Sequence, residues 1–237
     1  MSTHASHQTI GTRSHQCDAT ATYTHNHVRA YALLDGIGSS NEIRGWTRTM
    51  ARRLARAAAT LADAEAGLTR TYAQAAAEEG RGNPYNDLPS AVAVVAVARP
   101  GHRLTVAWCG DSRAYLLVDG KAERLTVDHN MRQVLLDRGQ AAGVYSRNQV
   151  TSWLGNTSVV PELGEQPLIG AVSRPMSGRL LLASDGAYEP LEDSCLDVAD
   201  FLDGTPGLAA RTVVREANDR APAHADNATV LVADLTD

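Results

Sequence analysis

The chain has 237 residues, 43% of them hydrophobic and 21% charged, enough apolar content for a sizeable core and too much for wholesale disorder. Its net charge of -5 argues against a nucleic-acid binder, and it has no apolar run of about 18 residues with which to cross a membrane. Cys17, Cys109 and Cys195 are widely spaced and form no CxxC pair, which excludes a disulfide scaffold or a cysteine-rich zinc module and suits a reducing, cytoplasmic setting.

Residues 1–16 are polar, without the apolar stretch of a signal peptide; residues 1–9 are expected as a flexible or short edge strand. Five of the eight histidines fall before residue 28 with no metal-finger spacing, which reads as scattered surface histidines. Residues 18–23 and 28–34 form an expected hairpin, the second strand apolar and ending at Asp35-Gly36. A helix follows, with Ile43, Trp46, Met50, Leu54, Ala57 and Leu61 on one face, Asn41 as its N-cap and Gly67 as its break. Residues 68–79 continue as helix. Arg44, Arg48, Arg52 and Arg56 make a stripe on the opposite side, read as a solvated face.

Strands are expected at 91–98 and 104–109, with a hairpin of 114–118 and 122–126 turning at Asp119-Gly120. Residues 128–139 read as a short helix and 146–154 as a second helical stretch inside a loop-rich region. Strands return at 168–172, 179–183 and 228–235, with a helix at 208–218 between the last two. Strands in hairpin order with grouped helices imply antiparallel sheets carrying helices outside, and no linker-like composition divides the chain.

Three apolar strands have an aspartate at one end: Asp35, Asp185 and Asp226. Asp111 stands between two more. Taken singly, each Asp-Gly reads as a turn. Taken together, carboxylates at strand ends can converge on one sheet rim, and such oxygen donors suit Mg²⁺ or Mn²⁺. None of the cysteines starts a CxxxxxR loop and no GxxxxGK[ST] is present, so a cysteine-nucleophile phosphatase and a P-loop nucleotidase are not supported.

The order and spacing of these aspartates resemble the protein phosphatase 2C (PPM) family in its compact bacterial form. Leu34-Asp35-Gly36-Ile37-Gly38 is similar to the family's Asp-Gly-x-Gly. Gly110-Asp111-Ser112-Arg113 is similar to its GDSR, Ser184-Asp185-Gly186 to its SDG and Asp226-Asn227-Ala228-Thr229 to its DNxT. Residues 125–129 and 148–155 also look like family segments. The resemblance covers about residues 10–235. It implies an α+β fold, a four-layer αββα sandwich of two antiparallel sheets flanked by helices, with 1–237 as one phosphatase domain and a flap at about 139–161. It implies two Mn²⁺ or Mg²⁺ ions held by Asp35, the Gly36 carbonyl, Asp185 and Asp226, with Asp111 and Asp185 at a third, weaker site. Arg13 falls where the family binds phosphate. The implied reaction is hydrolysis of phosphoserine and phosphothreonine in a protein substrate by hydroxide held between the metals, without a phosphoenzyme. A monomer is expected, with no nucleic-acid or membrane partner.

Arg13-Ser14-His15-Gln16-Cys17-Asp18 departs from the family pattern. Cys17 stands where an acidic residue is usual, while Asp18 keeps its carboxylate. That substitution keeps a second reading open, a catalytically weakened relative that binds phosphoproteins or regulates a partner; small phosphorylated molecules remain a further substrate class.

Overall fold

The computed structural model describes residues 3–83, 85–157, 168–221 and 223–235. Its strands are β1 (His4–Thr9), β2 (Ala19–His25), β3 (Val28–Gly36), β4 (Ala91–Ala98), β5 (Leu104–Cys109), β6 (Arg113–Val118), β7 (Lys121–Arg124), β8 (Gly170–Arg174), β9 (Gly178–Ala183) and β10 (Ala228–Leu235). Its helices are α1 (Asn41–Leu61), α2 (Ala64–Ala76), α3 (Met131–Asp137), α4 (Asp185–Asp193) and α5 (Pro206–Arg220). The strands form two antiparallel sheets, ordered β1-β10-β9-β6-β7 and β2-β3-β4-β5-β8.

Three apolar layers hold these sheets and helices together. Alternate residues of each central strand point to opposite faces, and here both faces are covered. Ala30, Ala32 and Leu34 of β3 pack with Met50, Leu54 and Ala58 of α1. Tyr31 and Leu33 face the other way, into the layer between the sheets with Leu180, Leu182 and Leu231. On the far side, Leu181 and Val232 pack against Tyr188 and Leu191 of α4 and Val213 of α5. The result is the expected αββα sandwich. Double coverage explains why β4 reads AVAVVAVA, buried at all eight positions, without polar alternation. The first hairpin turns at Asn26-His27, both at positive φ (46° and 64°), the backbone a tight two-residue turn demands. β1 is an edge strand on β10. Among the described residues no helix is long and apolar enough to cross a membrane.

Several sequence expectations need correction. The N-cap of α1 is Ser40, whose side chain accepts from the Ile43 N–H, with Asn41 inside the helix. The break lies at Ala62, left-handed at φ 54°, and Asp63 then caps α2 by accepting from the Ala66 N–H at 2.8 Å. Gly67 sits inside α2 against Ala58, where a Cβ would collide with the backbone of α1. α2 ends at Ala76. Residues 147–154 are not helical: Val150 bridges to Asn130 and Leu154 to Ala91, and the helical turn nearby, Val144–Ser146, ends where the expected helix would begin. The end of the expected flap, 158–161, lies outside the described residues. α4 was not expected.

The glycines of α1 and α2 make opposite predictions. Gly45, in α1, has open space around its Cβ position, so Gly45→Ala should raise stability by about 0.5–1 kcal/mol through helix propensity. Gly67→Ala should lower it by about 1–3 kcal/mol by overpacking the α1–α2 contact. Urea denaturation of both variants checks this; Gly67→Ala at or above wild-type stability would contradict the packing.

Candidate metal and phosphate site

Six of the residues expected from sequence line one cavity of about 180 Å³: Arg13, Asp35, Gly36, Asp111, Asp185 and Asp226, joined by Ile37, Gly38, Val92, Asn148 and Val150. Each aspartate is delivered by a different element. Asp35 ends β3, and Asp185 opens α4 directly after β9. Asp226 lies just ahead of β10, and Asp111 sits in the turn between β5 and β6. Gly36 is needed beside them because a Cβ there would come within 2.9 Å of Thr47 Oγ1 and 2.8 Å of Ile43 Cγ2. Gly110, at φ +101°, turns the chain so that Asp111 enters the cavity, and a side chain there would strike Val92.

Asp18 and Cys17 stand behind this wall. Asp18 is buried and its Oδ2 accepts from Ser184 Oγ at 2.9 Å; its Oδ1 has no hydrogen-bond partner among the described residues. Cys17 is also buried, and its thiol points to the Ser40 carbonyl oxygen at 3.6 Å, toward the cap of α1. Burial is the main cause that raises the Cys17 thiol above its ordinary value, so it stays neutral and cannot replace a carboxylate's charge.

Asn227 was quoted in the sequence motif without a role, and the structure supplies one. Its Oδ1 accepts from the Cys17 N–H at 2.7 Å and its Nδ2 donates to the Ile10 carbonyl at 2.9 Å. Thr12 N–H donates to the Ala225 carbonyl at 3.0 Å. The segment carrying Arg13 is thereby strapped across the start of β10, and Arg13 pairs with Asp226 at 2.5 Å. Arg113, the last residue of the GDSR motif, turns away from the cavity. It is bidentate to Asp128 at 2.7 and 2.9 Å and lies 3.7 Å over the Tyr188 ring. Tyr188 Oη donates to the Asp111 carbonyl at 3.0 Å, which fixes the turn against α4. On the other side His129 Nδ1 accepts from the Gly110 N–H at 3.4 Å.

Asn148 and Val150 fall in the 148–155 segment that resembles the family but were given no site role; they reach the cavity because Arg147 anchors their loop to α4, bidentate on Asp193 at 2.8 and 2.9 Å and 3.3 Å from Glu189.

The electrostatics of the wall are dominated by burial, then by like charge. Asp35 is pushed well above the carboxylate range by burial and by Asp18, Asp185, Asp226 and Asp111. Asp111 is raised by burial and Asp185, and Asp185 by burial and Asp226. Burial and Asp185 raise Asp18 to about 7. Among the described residues no three His, Cys, Asp or Glu side chains form a ready-made metal cluster; the carboxylates line a wall instead. As a donor set they nevertheless fit a hard divalent cation: all oxygen, mutually repelling, and backed by the unpartnered Asp18 Oδ1.

The Protein phosphatase 2C family model matches residues 4–135, more than half of the chain. The chain belongs to that family. It is 30% identical over 144 residues to serine/threonine protein phosphatase PstP of Mycobacterium tuberculosis (strain ATCC 25618 / H37Rv), which covers 61% of this chain and 27% of that relative. The chain thus spans about a quarter of that relative's length. The S. agalactiae serine/threonine phosphatase has the same fold at TM-score 0.80 and 20% identity over 100% of both chains. So does the catalytic domain of PstP in complex with 2 manganese ions, at TM-score 0.73 and 24% identity over 100% of this chain and 99% of that one.

A pH dependence follows from the raised carboxyls. The folded protein 2C-type domain holds protons that the unfolded chain has released, so the stability these groups allow is present below about pH 4 and lost as pH rises through about 7 for Asp18. His129 has the opposite sense: burial lowers it to about 4, so it costs stability as pH falls below about 6.5. Four raised carboxyls outweigh the one histidine, so thermal denaturation in EDTA should show Tm falling as pH rises from about 4 through about 7. Asp35→Asn should raise metal-free stability on that limb by on the order of 1 kcal/mol, and Tm with it. A Tm that climbs with pH in EDTA would contradict the mutual repulsion.

Proposed function

We propose that the chain is a metal-dependent phosphoprotein phosphatase acting on phosphoserine and phosphothreonine, with residues 1–237 as one catalytic domain. The observation that carries this reading is the convergence of Asp35, Asp111, Asp185, Asp226 and Arg13 on one small cavity. Asp35, the Gly36 carbonyl, Asp185 and Asp226 would hold two ions, Mn²⁺ or Mg²⁺, with Asp111 and Asp185 at a third position. The manganese-bound PstP catalytic domain of the same fold supports that choice. When bound, such cations neutralise phosphoryl charge and lower the pKa of coordinated water.

The chain's own residues do the rest. Arg13, half-exposed at the rim and tethered through Thr12 and Asn227, presents a guanidinium that suits two phosphoryl oxygens. Asp18 and Ser184 brace the floor. Ile37, exposed at the mouth, and Asn148 on the anchored loop meet the flanking substrate chain. A cavity of about 180 Å³ is smaller than a typical pocket that engulfs a whole ligand, so it suits the end of a phosphorylated side chain better than a free nucleotide. Three unpaired cysteines support a reducing, cytoplasmic location, and we read the protein as a monomer.

Cys17 favours a second reading, a weakened enzyme that binds phosphoproteins, because a neutral thiol removes one acidic partner from beside the cavity. Hydrolysis of p-nitrophenyl phosphate and of a phosphothreonine peptide with Mn²⁺, Mg²⁺ or EDTA separates the two. Turnover should need the cation and fall by more than about 100-fold in Asp185→Asn. Arg13→Ala should lower kcat/KM by about 10–100-fold, the loss of one charged hydrogen-bond donor. Absence of turnover by folded protein with every cation would favour the binding protein.

A further inference from the structure

A second concavity, larger than the first and sharing no residue with it, lies at the far end of α1. It encloses about 710 Å³ between the β2–β3 hairpin, α1 and α2, and is lined by Tyr23, His25, Arg53, Arg56, Thr60, Arg70 and others. Arg53 and Arg56 come from successive turns of α1 and Arg70 from α2. All three are exposed, and among the described residues none is in an ion pair with a carboxylate. Arg56 lies over the Tyr23 ring at 5.8 Å, and Arg53 Nη1 approaches only Met50 Sδ, at 3.8 Å. Three guanidiniums thus share one groove without a counter-charge, in a chain whose net charge is -5.

Unpaired like charges at close range are unfavourable and repel one another, so the groove is suited to an anionic occupant. Its width decides which kind. A single phosphate would be gripped by guanidiniums closing on one point, whereas these three are spread over two helices around a wide, open concavity. A concavity of about 710 Å³ has room for several carboxylates of an extended chain.

We infer that the groove between α1, α2 and the first hairpin docks an acidic peptide segment of a partner protein. Arg53 and Arg56 stand roughly 20 Å along α1 from Asn41, at the catalytic end of the helix, a span that about six extended residues cover. The partner is then a substrate whose phosphorylated residue is followed or preceded by an Asp/Glu-rich stretch. Calling it a substrate rests on the phosphatase reading above; the anion groove itself does not. Docking at both points makes the second contact intramolecular and lowers KM for such chains.

The test uses the full chain and a fluorescein-labelled Asp/Glu-rich peptide without phosphate, read by fluorescence anisotropy. Binding should weaken as salt rises and be at least about tenfold weaker in Arg53→Gln/Arg70→Gln, which leaves Arg56 on Tyr23, than in Arg48→Gln/Arg211→Gln, which removes the same charge from exposed positions outside the groove. p-Nitrophenyl phosphate turnover should be equal in both variants, while KM for a phosphothreonine peptide carrying the acidic stretch rises only in the groove variant. Acidic peptide binding no tighter than a neutral peptide, or equal losses in the two variants, would overturn the proposal. So would displacement by inorganic phosphate at concentrations below those at which unlabelled acidic peptide competes, which would assign the groove to a lone phosphate. Peptide binding that follows the groove in a protein with no turnover would uphold the groove and sink the phosphatase reading alone.

Discussion

Mutual repulsion among buried carboxylates is the constraint around which this structure is arranged. Asp18, Asp35, Asp111 and Asp185 are each raised above the ordinary carboxylate range, by burial and then by one another. Left to themselves such groups would spread into water, so the fold must hold them by means that do not depend on them. It does so with strands whose two faces are both buried, which leaves their ends little freedom. The sandwich is therefore a frame that tolerates an unfavourable cluster, the common arrangement where a site is kept at the expense of stability.

Beyond the frame, a set of polar straps determines where each carboxylate points. Asn227 and the Thr12–Ala225 bond fasten the Arg13 segment to the start of β10. Arg113, Asp128 and Tyr188 fasten the Asp111 turn to α4. These residues do not line the cavity themselves, yet the cavity has its shape because of them. The arginine of the GDSR motif is a case in point: its place in the motif suggests a ligand contact, and its actual partners are a buried carboxylate and an aromatic face.

How much of this was legible in the sequence depended on whether burial left a pattern. β4, β5 and β10 were read with the bounds the structure gives, because continuous apolar runs flanked by polar turns leave little choice. The cavity-lining aspartates were legible through their order along the chain. α4 was not, since its opening Asp185-Gly186 reads as a turn and Pro190 interrupts the helical pattern. The break between α1 and α2 was assigned to Gly67 by propensity. In the structure a non-glycine residue, Ala62, takes the left-handed position, and Gly67 is used for close packing instead. Asn148 reaches the cavity through an ion-paired loop anchor, a long-range relation that periodicity does not encode.

The pairing of Arg13 with Asp226 spans 213 positions, and it has a consequence for biosynthesis. A chain emerging from the ribosome presents Arg13 and Asp35 long before Asp226, so every length that stops short of Asp226 carries an incomplete anionic wall. β1 likewise waits as an unpaired edge until β10 arrives. Contacts so distant in sequence make folding slow, and the cavity wall is complete only after β10 has docked beside β9.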